Sequence, residues 1–368
     1  VAKQDVTLHR IIERPIPLAY NPVQRFYRGG KLVQRFRGLP EPRETDRPED
    51  WVGSCTLASN RDAEGREQGL SEVALPGVGR TTLQQLVESY PEEMLGAAFL
   101  ARWGATTGLL VKLLSADQRL PVHAHPSRSF AEQHLGSRFG KTEAWIVLEA
   151  EGKGGEPPYV GLGFCQHVTP RWFRETVLRQ DTEMLVDAIH RFEVKPGDVF
   201  LVSAGLPHFI GPGVLVAETQ EPTDFGVLAE WQPFLAREED ARMGLDWDTA
   251  LAMFDYTPRD WTITAGKTRQ QPRLLRERGD TREWRLLGPA AAPYFGATRL
   301  DVADELAVED GRFYVGIVTA GEGSIEGDFG QEPVKAGDTF ACAAALGHRF
   351  RAGQAPLRVI RCLGPSLE

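Results

Sequence analysis

The chain has 368 residues, 42% of them apolar and 25% charged, with a net charge of -9, a size that predicts two or three packed units rather than one core. Its basic residues are scattered among acidic ones, which leaves no platform for a polyanion and excludes nucleic acid as the expected partner. No apolar run approaches the ~20 residues that cross a bilayer, and the start, Val1-Ala2-Lys3-Gln4-Asp5, lacks a signal-peptide core, so a cytoplasmic protein without a membrane partner is expected.

In chain order, Thr82 to Tyr90 has leucines at helical spacing, and Pro91 interrupts or restarts the helix. The run Leu109-Leu110-Val111-Lys112-Leu113-Leu114 reads as a strand leading to His123-Ala124-His125, which Pro126 ends. Ser127 to Leu135 reads as a short helix. The segment from Gly136 to Thr142 looks like a phosphate-binding loop, but it has three residues between its glycines where four are needed. It also runs from helix to strand, the reverse of the order that aims backbone amides at phosphate. An amphipathic helical hairpin is expected over 171–192, with Arg179-Gln180-Asp181-Thr182 as its polar middle. Charges such as Arg237-Glu238-Glu239-Asp240 read as solvated faces or helix ends. Leu245 to Phe254 is a further helix candidate, before a linker at Thr257-Pro258 and a basic, Gln-rich stretch at 267–278.

The chain repeats itself. Val194-Lys195-Pro196-Gly197-Asp198-Val199-Phe200 returns as Val334-Lys335-Ala336-Gly337-Asp338-Thr339-Phe340, and a histidine follows each copy at the same distance, His208 and His348. Two copies of one β unit are implied, with Gly-Asp as a hairpin turn. The division expected is 1–256 for an N-terminal unit with inserted helices and 257–368 for a C-terminal one. The stretch before the second copy, Arg312 to Gly321, contains neither histidine nor carboxylate, so the C-terminal unit has the scaffold without metal ligands and His348 reads as a hydrogen-bonded structural histidine.

Histidines two apart on a strand point to one face, so His123 and His125 can converge on one ion. Glu143 and His208, arriving from other strands, would complete an N3O set suited to zinc, iron or manganese. The chain has only eight histidines, so three used this way is a sharp expectation. The four cysteines, Cys55, Cys165, Cys342 and Cys362, form no CxxC pair and favour buried free thiols.

Phe26-Tyr27-Arg28-Gly29-Gly30-Lys31-Leu32, Asp50-Trp51-Val52-Gly53-Ser54, Val122-His123-Ala124-His125-Pro126, Gly140-Lys141-Thr142-Glu143-Ala144-Trp145, Lys195-Pro196-Gly197-Asp198 and Gly213-Val214-Leu215-Val216-Ala217-Glu218-Thr219-Gln220 occur in the order found in type I mannose-6-phosphate isomerases. The sequence resembles the shorter bacterial branch of that family, specifically from about residue 20 to 232 and more loosely to the end. The resemblance implies a mainly β double cupin, two antiparallel jelly-roll barrels with inserted helices, with one zinc or other divalent transition-metal ion in the first barrel. The family's ligands map to His125, Glu143 and His208, with a glutamine expected where His123 stands. Lys141 matches the active-site lysine, and Glu218 and Asp224 match carboxylates of proton transfer. The family's arginine, expected four residues after Asp224, is Leu228 here. Either another arginine, such as Arg128 or Arg138, reaches in, or the substrate lacks the phosphate.

The expected function is aldose–ketose isomerisation of a small sugar or sugar phosphate through a cis-enediol. Glu218 is read as the base, Asp224 as orienting a hydroxyl or water, and Lys141 as stabilising the oxyanion. The alternatives are a sugar-binding or sensing cupin without turnover, and another metal-dependent cupin enzyme such as a dioxygenase.

Overall fold

The computed structural model describes residues 8–75 and 79–367. The start of the chain, Val1 to Asp5, on which the targeting expectation rests, lies outside them. Among the described residues no helix is long and apolar enough to cross a membrane.

The architecture is the expected double cupin, built from antiparallel sheets. One wall of the first barrel has six strands in the order β11 (Val199–Val202), β8 (Glu143–Ala150), β13 (Val214–Gln220), β6 (Leu110–Ser115), β3 (Glu49–Val52) and β2 (Pro22–Val23). The facing wall has five: β10 (Ile189–Glu193), β9 (Tyr159–Phe164), β12 (His208–Ile210), β7 (His123–Ala124) and β14 (Val227–Leu228). In the second barrel a seven-stranded wall runs β1 (Ile16–Pro17), β22 (Thr339–Cys342), β19 (Tyr314–Ala320), β24 (Leu357–Leu363), β17 (Gly296–Val302), β16 (Thr281–Arg285) and β15 (Arg273–Arg278). Its partner sheet is β18 (Glu305–Val308), β23 (His348–Ala352), β20 (Glu322–Gly327) and β21 (Gly330–Lys335), and a small ribbon pairs β4 (Glu72–Leu75) with β5 (Gly79–Thr82).

Strand alternation decides what each face does. Along β13, Leu215 and Ala217 point out of the barrel, while Val214 and Val216 join its interior. Along β24, Ile360 and Cys362 point out, and Val359 and Leu363 point in. The outward residues of the two large walls share one core with Leu83, Leu86 and Phe99 of the helical segment between β5 and β6, so the barrels pack back to back. Strand β1 seals this seam from the N-terminal side by pairing with β22.

The helices form where local signals start them. Thr82 and Gln85 make a capping box for Leu83–Ser89, and the chain restarts at Pro91 as Pro91–Leu95. Ser127 caps Arg128–Leu135, which ends at Gly136 in the left-handed region and leads into β8, the helix-to-strand order inferred for this loop. Thr169 and Pro170 start Pro170–Arg179. The helical hairpin ends at Asp187, not near 192. Ile189 and Phe192 are buried while Arg191 and Glu193 are exposed, and pairing with β9 makes the segment a strand. With Trp247–Ala252, shorter than the 245–254 expected because Asp246 is its cap, this hairpin covers the outer face of the five-stranded wall.

Other expectations are corrected. The Gly-Asp turns are not hairpins: β10 and β21 lie in one sheet of their barrel, and β11 and β22 in the other, so each turn crosses between walls. The stretch after the linker contains a helix, Trp261–Thr268, and an exposed edge strand, β15. The charged run Arg237 to Asp240 keeps the expected character of a solvated helix end, with Arg237, Glu239 and Asp240 exposed at the start of a short 3-10 helix, Glu238–Arg242. All four cysteines are free; Cys342 and Cys362 are buried, but Cys165 is exposed.

Candidate metal centre and active-site cavity

Two short strands bring three imidazoles together. His123 and His208 are register partners across β7 and β12, and His125 follows just beyond β7 on the same face. Ring centroids lie 4.1 Å apart for His123 and His208, 4.8 Å for His125 and His208, and 5.0 Å for His123 and His125. Each Nδ1 meets a backbone carbonyl: Pro121 at 2.8 Å for His123, Phe225 at 2.8 Å for His125 and Leu206 at 2.7 Å for His208. A carbonyl only accepts, so each Nδ1 carries the hydrogen and each Nε2 keeps its lone pair for the interior. Burial pushes the His125 pKa down to about 3 and that of His123 well below its ordinary value, so both rings stay neutral.

Glu143 begins β8 against this cluster. Its Oε1 lies 3.3 Å from His208 Nε2, and its Oε2 lies 3.1 Å from His125 Nε2 and 3.0 Å from Lys141 Nζ. Burial alone would raise the Glu143 carboxyl, but the Lys141 ammonium beside it holds it well below the usual range. Lys141 Nζ donates to His125 Nε2 at 2.9 Å, whereas Glu143 Oε2 and His208 Nε2, both buried, have no aligned hydrogen-bond partner. Buried acceptors facing one another are costly unless a cation is shared between them. The donor set therefore fits a borderline transition-metal ion. Among the described residues, the three histidines are the group whose ligand atoms all lie within 4.8 Å of one another.

A second row of side chains crosses the six-stranded wall. Trp51, Lys112, Glu218, Trp145 and Phe200 are successive register partners on β3, β6, β13, β8 and β11, so all point to the barrel interior. Lys112 Nζ lies 3.5 Å from Glu218 Oε1 and 3.6 Å from Glu49 Oε2, and 4.9 Å above the Trp51 ring. Glu49 also accepts from the Tyr27 hydroxyl and from Trp51 Nε1, each at 2.7 Å. Glu218 Oε1 has no hydrogen bond, and burial, reinforced by the nearby Glu143 charge, raises the Glu218 pKa.

Asp224 is held differently. Arg25 clamps it with two nitrogens at 2.8 and 3.1 Å, while the Ser59 N–H and hydroxyl donate at 2.9 and 2.7 Å. Burial would raise its pKa, but Arg25 more than offsets that, and Asp224 stays ionised far below the ordinary range.

These groups share one cavity of about 790 Å³, lined by His123, His125, Lys141, Glu143, Glu218 and Asp224, with His208 fully buried beside its neighbouring histidines. Sequence reasoning missed Arg25, Glu49 and Lys112, which also line it. The signal for Lys112 was a lone lysine inside an otherwise apolar strand; nothing local marked Arg25 or Glu49. Leu228 is the register partner of His123 and lines the same cavity. Arg128 and Arg138 do not line it: Arg128 is bound to Glu221 at 2.5 Å and to the Pro293 carbonyl, and Arg138 to the Trp103 carbonyl. Arg61 and Arg237 at the mouth are paired with Glu67 and Asp240, at 2.7 and 2.6 Å.

The fold and cluster define a two-barrel cupin with a histidine-rich metal-type centre. No family model matches the sequence. Part of the chain is homologous to mannose-6-phosphate isomerases: it is 36% identical over 116 residues to mannose-6-phosphate isomerase ManA of Bacillus subtilis, covering 32% of this chain and 34% of that one. It is 30% identical over 210 residues to the protein named "Probable mannose-6-phosphate isomerase GmuF" of the same organism, covering 56% of this chain and 59% of that one. The matches thus span between a third and three fifths of those relatives. The structure of the Bacillus subtilis mannose 6-phosphate isomerase shares the fold with a TM-score of 0.72 and 20% identity, over 94% of this chain and 99% of that one. A phosphomannose isomerase variant from Salmonella typhimurium shares it with a TM-score of 0.71 and 15% identity, over 95% and 99%.

Proposed function

We infer that the protein is a metal-dependent aldose–ketose isomerase resembling mannose-6-phosphate isomerase, acting on a small sugar of the mannose and fructose type. The observation that carries this reading is Glu218, a buried carboxylate with a raised pKa and an unbonded oxygen, in the same cavity as the histidine cluster. An isomerase needs such a base, one not consumed as a ligand, to move a carbon-bound proton. The isomerase names of the partial relatives support it.

His123, His125, Glu143 and His208 would hold one zinc or other divalent transition-metal ion per chain, which would supply Lewis acidity at a sugar carbonyl. Glu218 takes the proton from C2 and returns it to C1, passing through a cis-enediol. Lys112 beside it tempers the raised basicity, and Lys141 provides positive charge for the developing oxyanion. Asp224, locked ionised by Arg25, orients a hydroxyl or water rather than titrating.

The substrate is a free sugar in preference to a phosphorylated one. Leu228 stands where the resemblance expects an arginine, and each lysine or arginine that lines the cavity already contacts a carboxylate. The reading also assigns 1–256 to the metal-bearing cupin and 257–368 to a C-terminal cupin without metal ligands.

The test is incubation of metal-loaded protein in deuterated water with free and phosphorylated mannose and fructose, following interconversion and deuterium at C2. Interconversion with label at C2 is expected. Binding of the sugars without exchange would instead mark a sensing cupin, and oxygen uptake a dioxygenase.

A further inference from the structure

The two barrels correspond residue by residue. Asp198 and Asp338 each accept from the backbone N–H of the lysine three residues earlier, at 3.0 and 2.9 Å. Gly197 and Gly337, with φ of 92° and 91°, donate to the carbonyls of Val147 and Val318 at 2.8 and 2.9 Å. Positive φ is what glycine supplies at such a turn. This match sets β8 against β19, and strand pairing carries the correspondence across both walls. The row Trp51, Lys112, Glu218, Trp145, Phe200 becomes Arg285, Thr298, Arg361, Gly316, Phe340.

The same register puts Tyr314 where Glu143 stands and His348 where His208 stands. The Tyr314 hydroxyl lies 2.6 Å from His348 Nε2, and His348 Nδ1 meets the Leu346 carbonyl at 2.8 Å, so the imidazole nitrogen that faces inward in the first barrel is satisfied by a phenol here. At the position of Glu218 stands Arg361, a cation 2% exposed, stacked 4.4 Å over Tyr314. The second barrel thus keeps the geometry and inverts the charge of its deepest polar position.

A cavity of about 490 Å³ opens at this place, lined by Arg276, Arg285, Thr298, Arg312 and Arg361. Its carboxylates are Glu283, Glu309 and Asp310. Glu283 is paired with Arg276 at 2.6 Å and with Arg361 at 3.7 Å, and Asp310 with Arg361 at 2.6 Å, which leaves Arg285 and Arg312 against Glu309 alone. Arg312 donates one nitrogen to the Gly364 and Pro365 carbonyls, at 2.7 and 3.2 Å. Arg361 Nε and Thr298 Oγ1, on register-paired residues of neighbouring strands, are buried without a hydrogen-bond partner.

We propose that this cavity binds a small oxyanion of the phosphate-monoester type, at the C-terminal counterpart of the Trp51, Lys112 and Glu218 row. Guanidinium groups present fork-shaped pairs of donors that match phosphate oxygens, and Thr298 adds a hydroxyl donor. The volume accommodates a ligand of sugar-phosphate size, and the net positive balance selects an anion over a neutral sugar.

Calorimetric titration with inorganic phosphate tests this, using wild type, Arg285→Ala, Thr298→Val, Arg361→Lys and the first-barrel variant Glu218→Gln, each checked for folding by circular dichroism. One phosphate per chain is expected, about tenfold or more weaker in Arg285→Ala and Arg361→Lys, severalfold weaker in Thr298→Val, and unchanged in Glu218→Gln. Should Arg361→Lys fail to fold, Arg285→Ala and Thr298→Val decide alone. The proposal is overturned if wild type shows no phosphate binding at millimolar concentration, if the C-terminal variants bind like wild type, or if Glu218→Gln alone abolishes binding.

Discussion

Lys112 and Glu218 face each other in register across β6 and β13, with Nζ 3.5 Å from Oε1 and both side chains almost completely buried. On the proposed reading the pair is a base and its electrostatic control in one row of a sheet. Burial raises the Glu218 pKa, and Lys112 limits the rise, which leaves a carboxylate basic enough to accept a carbon-bound proton.

Glu218→Gln keeps the shape and removes the basicity. It should retain the metal and the fold while sugar interconversion and C2 proton exchange fall by about 10²–10⁴-fold. Exchange by nuclear magnetic resonance in deuterated water measures this; wild-type exchange in the variant would remove Glu218 from the mechanism.

Carefully loaded protein should carry about one transition-metal ion per chain by elemental analysis. His208→Ala removes a fully buried imidazole whose Nε2 faces Glu143, and it should release that ion while the second barrel stays folded. Two equivalent ions in wild type would contradict the asymmetry between the barrels.

Asp224→Asn leaves Arg25 as a buried cation with a single carboxylate contact, Glu49 at 3.3 Å. Breaking a buried pair from one side costs about 3–5 kcal/mol, so urea unfolding should show a loss of that order. Removing Arg25 as well, in Arg25→Met with Asp224→Asn, should recover part of it. A loss under about 1 kcal/mol in the single variant would mean that the clamp does not anchor this wall of the cavity.

Leu228→Arg would introduce a cation beside His123, on the adjoining strand. A new charged pair is worth about 1.5–3 kcal/mol, so the ratio of kcat/KM for phosphorylated over free sugar should rise by roughly 10- to 100-fold. A wild-type preference for the phosphorylated sugar already of that size would reject the free-sugar reading.

Asp50 supplies a pH signature. It is fully buried, accepts from the Asn21 N–H at 2.8 Å, and lies 3.1 Å from Arg37 Nε without alignment for a hydrogen bond. Burial raises its pKa from 3.8 to about 6, against the opposing pull of Arg37. Folding therefore favours the protonated form: its contribution is fully present below about 4 and is lost as the pH rises through about 6. The span corresponds to about 3 kcal/mol at 1.36 kcal/mol per pH unit. Asp50→Asn cannot ionise, so the stability difference between variant and wild type should move in the variant's favour by an amount of this order from pH 4 to pH 7. A pH-independent difference would mean that Asp50 titrates near its ordinary value.

The sequence by itself determined the repeat, the alternation of the strands and the shared face of His123 and His125, because each is a local or periodic property, while Glu143 and His208 were legible through the family motifs that carry them. A period of two aims both histidines at one face whatever the rest of the chain does. The helix at Leu83 was legible for the same reason, since the spacing of its leucines is a signal within a few turns. The strand at Ile189–Glu193 was not, because five residues with two buried apolar side chains suit either a helix end or an edge strand until β9 offers hydrogen bonds. Only the tertiary structure decided that Lys112 stands beside Glu218, that Arg25 rather than Arg128 or Arg138 enters the cavity, and that Asp224 is a locked anion. Those relations join residues as much as 199 positions apart. Such charges are set by register and burial, which no window of sequence contains.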